Sequence, residues 1–317
     1  MLFEHPEFEQ AMMRAAERFQ VSEQFVEKDY YLTEILRIIA TDLDEQAIFK
    51  GGTSLSKGWG LITRFSEDID LFVDPEKFDP VPGKNKVDRI LKRLSGRVAE
   101  HPALTWLEDE STTIGGLGRE DHFAYATRFA ELPGIRSAVR LEPGVQSGRF
   151  PTEVVPITSL IGQFLQEEGL AEMADDLVGF EMTLLHYRRT FVEKLFALHG
   201  KVVRLQEEGH PLARDARHYA DLYVLADQHE VRSMLASAEY RQIREDYDEK
   251  SRAFFPKSHR PPDGLSFAES PALFPDAELQ NILAVDYETQ CQLLFSGATY
   301  PSFEDVLARF VEIRALV

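Results

Sequence analysis

Two glycines and two carboxylates form the stretch of this chain whose residue types and spacing are best suited to chemistry. The segment Ile48-Phe-Lys-Gly-Gly-Thr-Ser-Leu-Ser-Lys57 precedes the segment Arg64-Phe-Ser-Glu-Asp-Ile-Asp-Leu-Phe-Val73. The first segment is typical of a short strand that ends in a Gly-Gly turn and opens a helix, with Thr53 or Ser54 as the N-cap. Because such a helix start has free backbone N–H groups, it can bind an anion.

Asp68 and Asp70 lie two residues apart in the strand that the second segment predicts. Side chains alternate along a strand, so both carboxylates point to one face. A divalent cation would relieve their repulsion, and carboxylate oxygens suit Mg²⁺ or Mn²⁺, with nucleotide phosphates as further ligands. A phosphate-binding turn beside this pair indicates nucleoside triphosphate chemistry by metal-assisted in-line displacement.

The two segments together resemble the signature of the DNA polymerase beta-like nucleotidyltransferase superfamily, through Gly51-Gly-Thr-Ser54 and Ser66-Glu-Asp-Ile-Asp-Leu71. The longer sequences of the two segments resemble those of the AbiEii-like toxins of bacterial toxin–antitoxin and phage-defence systems. The resemblance implies an α+β fold, in which a polymerase beta-like core of a mixed sheet and flanking helices precedes a mostly helical C-terminal lobe. It also implies transfer of a nucleoside monophosphate from a nucleoside triphosphate to an acceptor, with release of pyrophosphate.

Further motifs of this family carry the resemblance along most of the chain and supply candidate site residues. The residues implied to bind the nucleotide are Gly51, Gly52, Thr53, Ser54, Lys57 and Ser66. The implied catalytic residues are Asp68, Asp70, Glu142, Lys194 and Asp221, and the implied metal ligands are Asp68 and Asp70.

Glu142 stands where the family pattern has a later carboxylate, in Val139-Arg-Leu-Glu142. One interpretation makes it the general base or a third metal ligand. The other makes it a strand-end carboxylate paired with Arg140 or Arg149. Both interpretations are compatible with the sequence.

Lys194 and Asp221 lie on two predicted helices that resemble the family's C-terminal motifs. Lys194 shares a helix face with Phe191, Leu195 and Leu198, so its ammonium would leave an apolar surface near the nucleotide. Either Lys57 or Lys194 would balance the triphosphate charge, and Asp221 would orient Lys194. The alternative is a salt bridge between helices without a chemical role.

Polarity patterns predict the elements that must position these residues. The predicted helices are Glu23 to Ala40 after N-cap Ser22, Lys84 to Val98, Ile157 to Glu167, a helix after N-cap Thr190, Tyr240 to Phe254, Asp276 to Leu294 and Phe303 to Leu316. Alternation in His122 to Ala130 and Ile135 to Glu142, around Leu132-Pro-Gly134, predicts a β-hairpin. Gly115-Gly-Leu-Gly118 suggests a mobile loop or a hairpin tip. We expect a nucleotidyltransferase core at 1–150 and a helical lobe at 151–317 that completes an active-site cleft.

Composition restricts the class of protein. The 317 residues are 44% hydrophobic, and no apolar run is long enough for a membrane span. The N-terminus lacks the pattern of a signal peptide, so we expect a cytoplasmic protein. The single cysteine, Cys291, excludes an intrachain disulfide and a zinc site built on a cysteine cluster, and we expect it to be a buried residue of a late helix.

The acceptor is less well defined by the sequence than the transfer chemistry. Several toxins of the resembled class extend the 3′ end of tRNA, so the resemblance implies a tRNA acceptor, blocked translation and growth, and a cognate antitoxin encoded nearby. However, the net charge is −19 and no basic stretch interleaved with aromatic residues marks an RNA-binding face. The alternatives are nucleotidylylation of a protein or small molecule, and a non-catalytic acidic interaction module in which Asp70 would be dispensable.

Overall fold

Two units make up the chain, and the computed structural model describes residues 1–64, 66, 68–130, 136–294 and 300–317. Unit 1 comprises Met1–Gly60 and Phe65–Leu185, and unit 2 comprises Leu61–Arg64 and His186–Val317. The division falls later than the boundary near residue 150 that the sequence predicts. The reason is that two strands between residues 152 and 185 join the sheet of unit 1.

A mixed sheet organises unit 1. Its strands are β1 (Ala47–Lys50), β2 (Asp68–Val73), β3 (Leu104–Trp106), β4 (Thr112–Ile114), β5 (Gly118–Tyr125), β6 (Ala138–Gly144), β7 (Thr152–Ile157) and β8 (Phe180–Leu185). The order is β3-β5-β6-β2-β1-β8-β7, and β4 pairs with β5 outside this row. β2 is parallel to β6 and β1 is parallel to β8, whereas the other pairs are antiparallel. The predicted α+β fold with a mixed sheet and flanking helices is confirmed.

Among the described residues of unit 1, five α-helices accompany the sheet. They are α1 (Phe8–Phe19), α2 (Glu23–Leu43), α3 (Gly51–Lys57), α4 (Lys84–Val98) and α5 (Leu160–Glu167). α2 begins as predicted, because Ser22 Oγ accepts a hydrogen bond from the Phe25 N–H at 3.3 Å. The prediction of Thr53 or Ser54 as the N-cap of α3 is wrong, since the helix already begins at Gly51. α5 begins three residues later than predicted, because residues 152–157 form β7.

The two faces of β2 differ in polarity. Ile69, Leu71 and Val73 belong to the main hydrophobic cluster of unit 1, to which α2 and α4 also contribute. Phe72 belongs to a separate cluster on the other face. Asp68 shares this second face with Phe72, as alternation along the strand requires, and so does Asp70.

Two hairpin predictions concern β4, β5 and β6. β5 and β6 are antiparallel with Ala124 opposite Ala138, as predicted, while the predicted turn at 132–134 lies outside the described residues. β4 and β5 are also antiparallel, and Gly115 and Gly116 between them have φ of +59° and +68°. Of the two suggestions for this glycine segment, the hairpin tip is therefore the one observed.

All regular secondary structure in the described part of unit 2 is helical. Its α-helices are α6 (Tyr187–Glu208), α7 (His218–Ala226), α8 (His229–Leu235), α9 (Ala238–Phe254), α10 (Ala277–Leu294) and α11 (Phe303–Ile313). Thr190 is not an N-cap, because α6 begins earlier and the His186 ring accepts the Arg188 N–H at 3.2 Å. Cys291 is buried in α10, as predicted. No described helix of either unit is long and apolar enough to cross a membrane.

Candidate active site

Gly51 joins β1 to α3 and lies directly against Asp70. β1 and β2 are antiparallel, with Lys50 opposite Asp70, so the strand-to-helix turn passes over this carboxylate. Gly51 has a φ of +77°, a conformation that residues with a Cβ rarely adopt. A Cβ at this position would lie 1.9 Å from Asp70 Oδ2. The turn therefore requires glycine both for its backbone conformation and for the approach of the carboxylate.

The hydroxyl groups after the glycines are turned into the protein. Thr53 Oγ1 donates to the Asp68 carbonyl oxygen at 2.5 Å and lies 2.8 Å from Ser66 Oγ. Ser54 Oγ donates to the Gly51 carbonyl oxygen at 2.9 Å. Both side chains are buried, so they fix the turn against β2. A contribution of Thr53 and Ser54 to phosphate binding would have to come from their backbone N–H groups.

Parallel pairing of β2 with β6 places a third carboxylate beside the Asp pair. Glu142 is directly opposite Asp70, and Arg140 is directly opposite Asp68. Burial raises the pKa of Glu142 to about 7, and the neighbouring Asp70 and Asp68 carboxylates add to this effect while Arg140 opposes it. A carboxylate whose pKa lies near neutrality is suited to accept a proton.

Arg140 binds two of the three carboxylates. Its Nε and Nη2 donate to Asp68 Oδ1 and Oδ2 at 2.8 and 2.5 Å, and Nε lies 3.0 Å from Glu142 Oε1. Asp68 is buried and Arg140 is largely so. The observed pairing agrees with the alternative interpretation of Glu142 as a partner of Arg140. It leaves the role of Glu142 as a base open, because Glu142 also faces Asp70.

The carboxylates fit a divalent cation in part. The Asp70 side chain forms no hydrogen bond or ion pair with the other described residues and faces Glu142 across the strand pair. Positive charge between these two side chains would offset their repulsion. However, no group of three or more His, Cys, Asp or Glu residues within the described part of the chain is arranged to hold a metal ion. Asp70 and Glu142 would hold such an ion together with oxygen atoms of water or substrate, while Asp68 is engaged by Arg140.

Lys57 is engaged away from these carboxylates. Its Nζ lies 2.6 Å from Asp29 Oδ1 and donates to the Thr158 carbonyl oxygen at 3.1 Å. Asp29 also accepts the Leu160 N–H at 2.7 Å, at the start of α5. The Lys57 side chain is only 5% exposed. Lys57 therefore links α2, α3 and α5 in the structure, with Asp29 of α2 as its ion-pair partner.

In unit 2, the predicted contact between Lys194 and Asp221 is present. Lys194 Nζ lies 2.8 Å from Asp221 Oδ2 and 3.1 Å from His218 Nδ1. Arg64 binds the same carboxylate twice, from Nε at 2.6 Å and from Nη2 at 2.7 Å. Burial would raise the pKa of Asp221, but Arg64 and Lys194 hold it well below its usual value. The carboxylate therefore stays charged and fixes the ammonium of Lys194.

The predicted site residues thus form two sets. In unit 1 the structure brings together Gly51, Asp68, Asp70 and Glu142, with Gly52, Thr53, Ser54 and Ser66 in the adjoining turn and segment. In unit 2 it brings together Lys194 and Asp221. Lys57 contacts neither set of carboxylates but Asp29.

Sequence reasoning missed three polar residues of these sets. The sequence predicts Arg140 only as a partner of Glu142, although its position two residues before Glu142 places it on the same strand face. Arg64 was noted only as part of the signature segment. Its pairing with Asp221, like the contact of His218 with Lys194, depends on tertiary structure that periodicity does not predict.

One family model matches most of this chain. The family model described as nucleotidyl transferase AbiEii toxin, type IV TA system, matches residues 34–309. Among solved structures, the chain is similar to MenT4, a nucleotidyltransferase toxin from Mycobacterium tuberculosis, with 15% sequence identity and a TM-score of 0.49. That match covers 94% of this chain and 98% of the other chain. No curated protein matches the chain significantly.

Proposed function

Because the chain belongs to the AbiEii nucleotidyltransferase toxin family of type IV toxin–antitoxin systems, we propose that it adds a nucleoside monophosphate to the 3′ end of tRNA. Membership of this family makes it a nucleotidyltransferase. The proposed consequence of the tRNA modification is a block of translation and growth in the cytoplasm, which a cognate antitoxin would counteract. Proposed requirements are a nucleoside triphosphate and Mg²⁺ or Mn²⁺.

The observation that carries the proposal is the placement of Asp70 between Gly51 and Glu142. The carboxylate lies against a turn that only glycine can form and directly opposite a second carboxylate. A merely structural strand would gain nothing from two facing carboxylates, which repel each other. Their position beside the Gly51-Gly52 turn supports a site for a triphosphate that brings its own metal ion.

The proposed reaction is an in-line displacement at the α-phosphorus. A hydroxyl oxygen of the acceptor forms a bond to this phosphorus while the bond to the bridging oxygen of pyrophosphate breaks. Glu142, which lies directly opposite Asp70, takes the proton of the attacking hydroxyl. When bound, the divalent ion supplies charge neutralisation at the phosphate oxygens. Asp70 and Glu142 would hold it, and Asp68 is the third acidic residue that the sequence predicts at this site. Gly51 and Gly52 allow the phosphates to approach the backbone.

Lys194 is the proposed source of positive charge for the leaving pyrophosphate, in preference to Lys57. Both ammonium groups are ion-paired, but Lys57 and Asp29 link α2, α3 and α5, whereas Asp221 and His218 hold Lys194 within unit 2. A positive charge held in place costs little reorganisation when negative charge develops on the leaving group. Asp221 is then a positioning residue for Lys194.

Label transfer from each α-³²P nucleoside triphosphate to total bacterial RNA tests the proposal. We expect Mg²⁺-dependent label in tRNA-sized RNA with the wild-type protein and none with Asp70→Ala. Asp109→Ala is the matched control, since Asp109 is exposed and forms no ion pair with the described residues. Label in protein or in small molecules would show that the acceptor is one of these and not tRNA. The absence of any label that depends on Asp70 would favour the non-catalytic interaction module.

A further inference from the structure

Helix α4 concentrates positive charge in an otherwise acidic chain. The helix spans 15 residues and contains a single acidic residue, Asp88, whereas the whole chain has a net charge of −19. Its basic residues are Lys84, Lys86, Arg89, Lys92, Arg93 and Arg97. A polyanionic partner is repelled by the acidic remainder of the protein, but it can bind where positive charge is in such local excess.

The basic residues occupy the solvent face of α4. The apolar residues of the helix are buried in the main hydrophobic cluster of unit 1, and they are Val87, Leu91, Leu94 and Val98. All six basic side chains are exposed. The same periodicity that packs one side of the helix onto the sheet therefore presents the charged side to solvent.

Most of this charge is not neutralised within the protein. Lys92 pairs with Glu108 at 3.1 Å, and Arg97 pairs with Asp42 at 3.4 Å and also with Glu100. In contrast, no described acidic residue forms an ion pair with the remaining four, which are Lys84, Lys86, Arg89 and Arg93. The pairs that do form involve exposed basic side chains, and such pairs contribute little to stability. Fold stability therefore does not account for the accumulation of charge.

From this distribution we infer that the exposed face of α4 binds the phosphate backbone of the RNA acceptor. The stripe from Lys86 to Arg97 is about 16 Å long at the helical rise, which is enough for several phosphates in succession. The face has basic side chains but no aromatic residue on which a base could stack. It therefore fits the backbone of an RNA rather than its bases, and it positions the acceptor without reading its sequence.

The place of α4 in unit 1 is compatible with delivery of an RNA end to the carboxylates. α4 packs against β3 and β5 on the apolar face of the sheet, whereas Asp70 and Glu142 lie on the other face. β3 is the edge strand, and β2 is three strands further in the row. Strand spacing and layer thickness give a path of about 25 Å from α4 around this edge to β2. A few nucleotides of single-stranded 3′ end can span such a path.

The inference rests on the proposed RNA acceptor and is tested by binding rather than by transfer. The test variant replaces Lys86, Arg89 and Arg93 by Glu. The matched control replaces Arg14, Arg241 and Lys257 by Glu. These three residues are also exposed and form no ion pair with the described residues, and their replacement changes the net charge by the same amount. The probe is fluorescein-labelled bulk bacterial tRNA, and its anisotropy is followed at several NaCl concentrations between about 50 and 200 mM.

We expect the α4 variant to bind tRNA at least about 30-fold more weakly than the wild-type protein at about 100 mM NaCl. The slope of log Kd against log salt should also fall by about one for each phosphate that the variant no longer binds. The control variant should bind within about twofold of wild type, and both variants should keep the wild-type circular dichroism spectrum. If both variants bound tRNA equally weakly, net charge would explain the effect and the inference would be overturned. Unchanged tRNA binding by the α4 variant would also overturn it.

Two further measurements separate this inference from its alternatives. Asp70→Ala should bind tRNA like the wild-type protein, because the α4 face is intact. If it does so while no protein transfers label to RNA, the transfer proposal fails and the docking surface stands. Vesicles that contain phosphatidylserine provide the second comparison. If the α4 variant loses vesicle binding but keeps tRNA binding, the face is a membrane-binding surface and the RNA inference is overturned.

Discussion

Arg140 donates hydrogen bonds to both carboxylate oxygens of Asp68, on the neighbouring parallel strand, at 2.8 and 2.5 Å. Its Nε also lies 3.0 Å from Glu142 Oε1. One largely buried guanidinium thus neutralises part of the negative charge that the proposed chemistry requires on this face. Since an unpaired buried carboxylate is costly, Arg140 makes it possible for the acidic cluster to exist in a folded protein.

Arg140→Met should therefore destabilise unit 1 by about 3 kcal/mol, because it removes the guanidinium that binds both carboxylate oxygens of buried Asp68. Urea denaturation followed by tryptophan fluorescence measures this effect in unit 1 alone, since both tryptophans, Trp59 and Trp106, lie there. Arg89→Met, on the exposed face of α4, should change stability by less than about 0.5 kcal/mol. Equal stability of the two variants would show that Arg140 does not hold the cluster together.

Gly51→Ala should abolish nucleotide transfer while the protein stays folded. The new Cβ would collide with Asp70 Oδ2, and the φ of +77° would be strained, so the carboxylate or the turn must move. We expect at least about a 100-fold loss in kcat/KM. Gly96→Ala is the control, because a Cβ there meets nothing within 4 Å and the residue is helical. If Gly51→Ala had wild-type activity, nucleotide transfer would not depend on the contact of Gly51 with Asp70.

Lys57→Met distinguishes a structural role of Lys57 from the phosphate-binding role that the sequence suggests. Loss of the buried ion pair with Asp29 should lower the free energy of unfolding by about 3 kcal/mol. The KM for the nucleoside triphosphate should stay within about twofold of wild type under conditions where the variant is folded. A roughly tenfold higher KM with unchanged stability would instead support phosphate binding.

His199 in α6 should make the stability of the protein sensitive to acid. Burial lowers the pKa of His199 to about 4, and its Nδ1 lies 2.8 Å from Ser270 Oγ. The unfolded chain, with an ordinary histidine pKa near about 6.5, binds the proton first, so stability falls as the pH drops from about 6.5 towards 4. Between about pH 7.5 and pH 5, the wild-type protein should lose about 2 kcal/mol more than His199→Asn. Parallel losses in urea denaturation of the two proteins would contradict this assignment.

The sequence predicts the elements around the carboxylates well because each has a local signal. The Gly-Gly turn marks the end of β1, and the alternation of Asp68 and Asp70 with apolar residues marks β2. α4 has the predicted bounds because its apolar residues recur at helical spacing between polar ends.

The remaining elements depend on tertiary structure. β7 and β8 are not predicted as strands, because short apolar runs do not distinguish a buried strand from a helix. The parallel pairing that places Glu142 opposite Asp70 connects distant segments and has no local signal. The ion pairs of Arg64 with Asp221 and of Lys57 with Asp29 also connect distant segments, so the sequence does not predict them.

The most direct test of the account is the single-turnover rate of nucleoside monophosphate transfer to tRNA by Asp70→Asn and Glu142→Gln. Both substitutions keep the size of the side chain and remove the charge, and Asp109→Asn serves as the control. We predict that each of the two variants transfers at least about 1,000-fold more slowly than the control while binding the nucleoside triphosphate and tRNA. Transfer by Asp70→Asn at the rate of the control would contradict the assignment of the active site to the Asp70 and Glu142 pair.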